Sequence, residues 1–342
     1  NLYRLRGDAL QALHPMPAEL GEPQWAFGMR DYGFDARGRI VCSFRQAGIS
    51  HLATLDTETG AFETLATPFC AIDSLQVGAD FAVFVGATSA RASSVVRLDL
   101  RTLGHEVLRA SSEASVDPAF LSTAEAITFP TEGGLEAHAF FYRPTNRDAC
   151  GPDGERPPLL VVSHGGPTGA TDAAFKWSYQ YWTSRGFAVV DVNYGGSSGY
   201  GRAYRARLDG QWGVVDVDDS VNAARYLVAR GDVDGDRVAI RGGSAGGYTT
   251  LCALTFRSFF KAGASHYGIG DLEALMTDTH KFEARYCERL VGPYPAGKAL
   301  YRARSPIHFT ERLASPMILF QGAEDKAVPP AQAQTMFDAV NA

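Results

Sequence analysis

Up to about residue 113 the chain alternates apolar and polar positions in short runs separated by turn clusters, the pattern of half-buried β-strands. Ile49–Leu55 runs into the turn Asp56-Thr57-Glu58-Thr59-Gly60, and Ser94–Leu100 runs into Arg101-Thr102-Leu103-Gly104 in the same way. Leu55-Asp56 and Leu98-Asp99 lie 43 residues apart, whereas Gly60 and Gly104 lie 44 apart, which reads as one inserted residue. A further apolar strand precedes each copy, Arg39–Phe44 and Phe81–Val85, and Leu2-Tyr3-Arg4-Leu5 reads as the end of an earlier copy. A repeat of about 40–45 residues with several strands per unit predicts the blades of a β-propeller. An ordinary meandering sheet is the other reading. Two blades cannot close a ring and open sheet edges invite aggregation, so the propeller reading carries the expectation of further blades before Asn1.

From about residue 125 the pattern changes. Ala126–Tyr142 predicts a strand pair around the turn Glu132-Gly133-Gly134, and a loop rich in Pro and Gly follows from Pro144 to Pro158. Strands are then expected at Leu159–Ser163, Phe187–Asn193, Arg237–Arg241, Ala262–His266 and Met317–Phe320. Helices are expected at Ala173–Arg185, at Val217–Ala229 with Val217, Val221, Ala224 and Val228 on one face, at Gly247–Phe256 and at Ala331–Val340. Strands alternating with helices predict a mostly parallel, doubly wound sheet covered on both faces. The organisation expected is an incomplete propeller over residues 1–115 followed by an α/β domain over residues 116–342.

Composition narrows the function without naming it. The 342 residues, 45% hydrophobic and 20% charged, are those of a globular chain long enough for two domains. A net charge of −6 offers no basic face for nucleic acid, and no apolar run approaches the roughly 18 residues of a membrane span. The five cysteines (Cys42, Cys70, Cys150, Cys252, Cys287) form no Cys-x-x-Cys pair and no zinc-like cluster with histidine, so neither metal nor cofactor is expected. They are expected to be buried free thiols in a reducing, cytoplasmic setting. Because the chain starts at Asn1, the lack of a leader says nothing about location.

The chemistry is concentrated in Gly242-Gly243-Ser244-Ala245-Gly246, a Gly-x-Ser-x-Gly motif with a strand before it and a helix after it. A serine on so sharp a strand-to-helix turn projects its hydroxyl from the sheet edge, and small flanking residues let neighbouring backbones approach. That hydroxyl is a weak nucleophile, needing a base to take its proton and a third group to orient the base. In α/β-hydrolases the order along the chain is Ser, then Asp or Glu, then His. Asp325 suits the acid: it lies 81 residues after Ser244, in the turn after the strand ending Gln321-Gly322, with Glu324 a neighbouring, more solvated candidate. All eight histidines (His14, His51, His105, His138, His164, His266, His280, His308) precede Asp325, so the base is expected beyond Ala342. His164 in Ser163-His164-Gly165-Gly166-Pro167 is better read as part of an oxyanion turn. There the Gly165 N–H, with the Ala245 N–H, would meet the developing oxyanion, at about 3–4 kcal/mol each in the transition state. Asp232-Val233-Asp234-Gly235-Asp236 lacks the Gly and Glu of a calcium loop and predicts a helix-to-strand turn. Gly195-Gly196-Ser197-Ser198-Gly199-Tyr200-Gly201 is not a nucleotide-binding glycine motif.

These residues resemble the prolyl oligopeptidase family of serine peptidases, in the branch of acylaminoacyl and dipeptidyl-peptidase-like enzymes. The resemblance covers about residues 125–342 and rests on His164–Pro167, Asn193–Gly201, Gly242–Tyr248, Ser305-Pro306-Ile307 and Gln321–Asp325. It implies an α/β-hydrolase preceded by a propeller, with Ser244 as nucleophile and Asp325 as acid. It also implies Gly165 and Ala245 as oxyanion donors, a histidine past Ala342, and a chain truncated at both ends. Lys281–Tyr286 resembles a segment lining the specificity pocket, which makes Phe282 a candidate for contact with an apolar substrate side chain. The sequence departs from the family in two respects. Ala327 stands where some relatives carry an Arg or Asn substrate ligand, and the paired glutamates of dipeptidyl peptidases have no counterpart that can be placed. The implied function is hydrolysis of short peptides without metal or cofactor, with a homo-oligomer compatible. A carboxylesterase with the same triad and a non-catalytic binding protein are the alternatives.

Overall fold

The alternation in the first third of the chain builds antiparallel sheets. In the computed structural model, which describes residues 1–22, 27–278, 281 and 283–342, two compact units are distinguished. The first comprises residues 1–124 with 172–180 and 198–202; the second comprises 125–171, 181–197 and 203–342. In the first, β1 (Tyr3–Arg6) and β2 (Ala9–Ala12) form a hairpin. Four strands, β3 (Tyr32–Phe34), β4 (Ile40–Gln46), β5 (Ile49–Leu55) and β6 (Phe62–Leu65), pair in sequence order. Four more, β7 (Ala71–Val77), β8 (Phe81–Ala87), β9 (Ser94–Asp99) and β10 (His105–Ala110), repeat that arrangement. Successive side chains on a strand point to opposite faces. In β4, Ile40, Cys42 and Phe44 enter one apolar cluster with Ala53 and Leu55, whereas Val41 enters another with Leu52, Leu75, Phe84 and Val96. Sheets buried on both faces are those of stacked propeller blades.

The repeat is tighter than the glycines suggested. The Asp56 carboxylate accepts the N–H groups of Glu58 and Thr59, and the Asp99 carboxylate accepts those of Arg101 and Thr102, at 2.8–2.9 Å. Asp56 N–H donates to Ala61 O, and Asp99 N–H donates to Gly104 O. Gly60 therefore corresponds to Leu103, not to Gly104, and nothing is inserted. Leu103 occupies the left-handed conformation (φ 59°) that Gly60 (φ 76°) adopts in the first copy. The carboxylate-capped turn fixes the backbone, and the leucine bears the strain.

The second unit is a seven-stranded sheet in the order β11-β12-β14-β13-β15-β16-β17. Its strands are β11 (Glu125–Pro130), β12 (Glu136–Tyr142), β13 (Leu159–Ser163), β14 (Ala188–Asn193), β15 (Val238–Gly243), β16 (Ala262–His266) and β17 (Met317–Phe320). β11 and β12 are antiparallel to their neighbours, and the other five run parallel. The helices are α1 (Trp177–Thr183), α2 (Arg202–Arg205), α3 (Val215–Arg230), α4 (Ala245–Phe256), α5 (Leu272–Asp278), α6 (Tyr286–Leu290), α7 (Lys298–Ala303) and α8 (Pro330–Asn341). The β-branched, apolar strands β13 and β14 are buried nearly throughout, as a sheet covered on both faces requires. α3 presents Val217, Val221 and Ala224 to that core and stops at Gly231, whose left-handed φ of 80° lets its N–H cap the last carbonyls. Residues 231–237 form the expected helix-to-strand turn before β15.

Two expectations are corrected. The stripe over 173–185 predicts a longer helix than the seven residues of α1. Phe175 N–H instead pairs with Thr88 O, and the Asp172 carboxylate turns the chain by accepting Ala174 N–H, so tertiary hydrogen bonds override helical periodicity. All five thiols are free, but only Cys42, Cys252 and Cys287 are buried; Cys70 is half-buried, and Cys150 is exposed in the Pro/Gly-rich loop.

Candidate functional site

The parallel strands set the site at their carboxyl ends. β15 ends at Gly243, and Ser244 follows with φ 56° and ψ −121°, outside the regions open to an ordinary L-residue. Holding a serine there costs on the order of 1–3 kcal/mol, which the surrounding structure must offset. It does so through backbone packing. Ser244 N–H donates to His266 O at the end of β16 (3.0 Å). A Cβ on Gly242 would stand 2.3 Å from Gly246 O, and one on Gly246 would stand 2.1 Å from Ser163 O at the end of β13. Only glycine at both positions lets the elbow close against its neighbouring strand. α4 begins at once with Ala245, whose N–H has no carbonyl one turn back within the helix. α4 is buried from Ala245 to Thr255, so its apolar and small residues fix the elbow from behind.

The turn after β13 lies against this serine. A Cβ on Gly165 would sit 3.2 Å from Gly243 O and 3.6 Å from Ser244 Cβ. His164 does not face the hydroxyl as a base. Its Nε2 is 2.7 Å from Ser197 Oγ, its Nδ1 is 2.7 Å from Gly165 O, and its ring stacks on Tyr194 at 4.2 Å. Tyr194, fully buried at the end of β14, places its hydroxyl 3.0–3.2 Å from His164 O, His164 Nδ1 and Pro167 O. The following segment is held by Asn193, which accepts Thr171 N–H and donates to Thr171 O (2.8 and 3.1 Å). The turn is thus pinned on both sides of Gly165. Tyr194, Ser197 and Asn193 stood in the sequence as a motif without a role. Their work is done across 22–33 residues of chain, and no local pattern signals it.

Asp325 follows β17, two strands from β15 on the side away from β13. Neighbouring strands are spaced about 4.8 Å apart, so the Asp325 turn leaves the same sheet edge on the order of 10 Å along from the serine. Asp325 Oδ1 accepts the N–H groups of Ala327 (2.9 Å) and Val328 (3.0 Å), which closes the turn and fixes the carboxylate. Glu324 is exposed. No described residue hydrogen-bonds the half-buried Ser244 hydroxyl. His266 is a neighbour at the strand ends, but its ring stacks on Phe320 (4.6 Å), and burial, then the Arg241 charge, pull its pKa down. Phe282 and His280 lie outside the described residues. Among the described residues no three His, Cys, Asp or Glu side chains converge as a metal site, and no helix is long and apolar enough to cross a membrane.

A strained serine elbow at the carboxyl edge of a doubly wound parallel sheet, preceded by four-stranded propeller-type sheets, defines an α/β-hydrolase with a propeller before it. Residues 173–342 match the model of the Prolyl oligopeptidase family, and the chain belongs to that family. It is similar to a puromycin-hydrolyzing peptidase of Mycobacterium tuberculosis, with 41% identity and a TM-score of 0.96 over 99% of this chain and 52% of that one. It is also similar to the dipeptidyl aminopeptidase BIII of Pseudoxanthomonas mexicana, with 32% identity over 54% of this chain and 28% of that protein. The acylamino-acid-releasing enzyme of Arabidopsis thaliana is 30% identical over 52% of this chain and 24% of that protein. The chain spans about half the length of the solved structure and under a third of these two curated relatives.

Proposed function

We propose that this chain carries the nucleophile, acid and oxyanion donors of a serine peptidase that hydrolyses short peptides and aminoacyl amides. In this reading Ser244 Oγ attacks the scissile carbonyl and its proton passes to a histidine base, which returns it to the departing amine. Water then releases the acyl group from Ser244 by the same route. The N–H groups of Gly165 and Ala245 receive the oxyanion, and Asp325 orients the base. The base itself is a histidine that follows Asp325 in the full-length protein. The observation that carries the reading is the placement of Gly165 against Ser244, with the Asp325 turn leaving the same sheet edge. The likeness to puromycin-hydrolyzing peptidases supports an aminoacyl amide substrate.

Turnover of puromycin, aminoacyl anilides and p-nitrophenyl esters by the full-length protein tests the proposal. Amide hydrolysis that disappears in Ser244→Ala is the expected result. Ester turnover with no amide turnover would make the protein a carboxylesterase, and activity surviving Ser244→Ala would overturn the site. The 342 residues alone are expected to be inactive. Serine-dependent turnover by them would refute a base beyond Ala342.

A further inference from the structure

The hydrolase unit has a second concave feature at the opposite edge of its sheet. Pro158 and Arg237 stand immediately before β13 and β15, Gly186 stands two residues before β14, and with the 144–158 loop they line a cavity of about 730 Å³. Such a volume suits a small organic ligand. Val238 opens β15 at this edge and Ser244 follows its other end, so at about 3.3 Å per residue the cavity and the candidate nucleophile are roughly 20 Å apart.

The cavity's walls are tied down. Thr145 N–H donates to Thr183 O (3.1 Å), the Asn146 side-chain amide to Ser184 O (2.8 Å) and Asp234 N–H to Pro157 O (2.9 Å). Pro144, Pro157 and Pro158 give it a rigid apolar wall, and fully buried Phe141 packs behind. Four arginines line the cavity against two carboxylates, Glu155 and Asp232, although the whole chain is acidic. Two of these arginines are neutralised. Arg143 pairs with Asp232 and Glu125, a network that Arg230 joins, and Arg237 pairs with Glu155 and Asp234. The other two, Arg156 and Arg185, make no ion pair among the described residues, and the charge of Arg156 is felt by Asp234 only at a distance. Arg185 is held in place: its guanidinium lies 3.8 Å over the Tyr181 ring, and Nη1 donates to Tyr181 O (3.0 Å) and Ser184 Oγ (3.3 Å). The Arg156 backbone is fixed through its carbonyl, which accepts from Arg237 Nη2 (2.6 Å). A planar guanidinium already oriented loses little further freedom when a carboxylate or phosphate arrives.

We propose that this cavity is a second binding site, separate from the serine site, for a small organic anion. Its carboxylate or phosphate would meet Arg156 and Arg185, and its apolar body would lie on the prolines. Exposed Cys150 lines the same cavity and supplies a reporter, since among the other cysteines only Cys70 is even partly accessible.

The test measures the rate of Cys150 modification by a thiol reagent on the full chain, with Cys150→Ser as the blank. Phenyl phosphate, benzoate, inorganic phosphate and neutral benzyl alcohol are the probes. Phenyl phosphate or benzoate should slow the reaction saturably. The double variant Arg156→Gln/Arg185→Gln, both at exposed positions, should weaken that protection about tenfold or more. Protection should persist in Ser244→Ala. Protection by inorganic phosphate equal to that by phenyl phosphate would remove the apolar part of the site. Equal protection by benzyl alcohol, no loss in the double variant, or loss in Ser244→Ala would each overturn the proposal.

Discussion

Replacing Asp216 by Asn should stabilise this protein at neutral pH and leave it nearly unchanged only below the ordinary carboxylate value of 3.8. Asp216 lies in the first turn of α3 and is fully buried. Its Oδ1 accepts Gly213 N–H (2.6 Å), and its Oδ2 accepts the Thr249 hydroxyl (2.5 Å) on α4, the helix that starts at the elbow. Burial pushes the carboxyl up to about 6, the hydrogen bonds from Thr249 and Gly213 oppose that rise, and the like charge of Asp219 adds to it. Asp219 is itself paired with Arg207 (3.5 Å), and Tyr194, Tyr248 and Cys252 face the same charge. The folded protein thus holds this proton more tightly than the unfolded chain, whose value is 3.8. Stability from this group is therefore complete below the unfolded value, falls as pH rises toward about 6, and is level above it. Some two pK units correspond to about 3 kcal/mol at about pH 8, with roughly half of that already lost at about pH 5. Asparagine can keep both contacts: its oxygen accepts Gly213 N–H, and its amide donates to Thr249 Oγ1, whose own proton turns to Ala245 O (3.1 Å). Urea midpoints of the two proteins at about pH 5 and about pH 8 measure the effect. Asp216→Asn should gain about 1–2 kcal/mol relative to the native protein between the two. A variant destabilised equally at both values would show that Asp216 is needed as an ion and would refute the reasoning.

Other outcomes follow from the same geometry. Gly165→Ala places a Cβ 3.2 Å from Gly243 O and should displace the turn after β13 by tenths of an ångström. We expect kcat of the full-length enzyme to fall by about 10- to 1000-fold with KM little changed; an unaltered kcat would remove Gly165 from the oxyanion site. Gly246→Ala meets Ser163 O at 2.1 Å, so a loss of more than about 4 kcal/mol, read as failure to give soluble folded protein, is expected. Asp325→Asn keeps an acceptor for the Ala327 and Val328 N–H groups, so its melting temperature should hold while kcat drops about 10⁴-fold. His164→Gln should lower kcat but leave stoichiometric labelling of Ser244 by a fluorophosphonate, since His164 is bound to Ser197 and Gly165 and is not the base.

Much of this molecule is legible residue by residue. The strands Leu159–Ser163, Ala262–His266 and Met317–Phe320 were readable to their last residue; for Leu159–Ser163 the reason is that a strand buried on both faces must be a short uninterrupted apolar run, whereas Met317–Phe320, the last strand of the sheet, leaves Ile318 and Phe320 exposed. The elbow was readable because its strain and backbone contacts admit few residues besides Gly242, Ser244 and Gly246, so local chemistry and local sequence coincide. Local periodicity failed where long-range hydrogen bonds compete with it. Residues 173–175 leave the helix for a contact with Thr88, and Leu103 takes a left-handed turn that sequence would give to Gly104. Residues that position the site from far along the chain were equally hidden. Tyr194 reaches across 30 residues to His164, and Asp216 reaches across 33 to Thr249. The sequence by itself determined most of the elements and marked Ser244 and Asp325 as candidates, since side-chain type and spacing carry both. Tertiary structure alone decided that Gly165 lies against Ser244, that Asp216 is buried behind the elbow, and that two arginines share a cavity at the far edge of the sheet. Proximity between distant segments is set by packing, which no local pattern encodes.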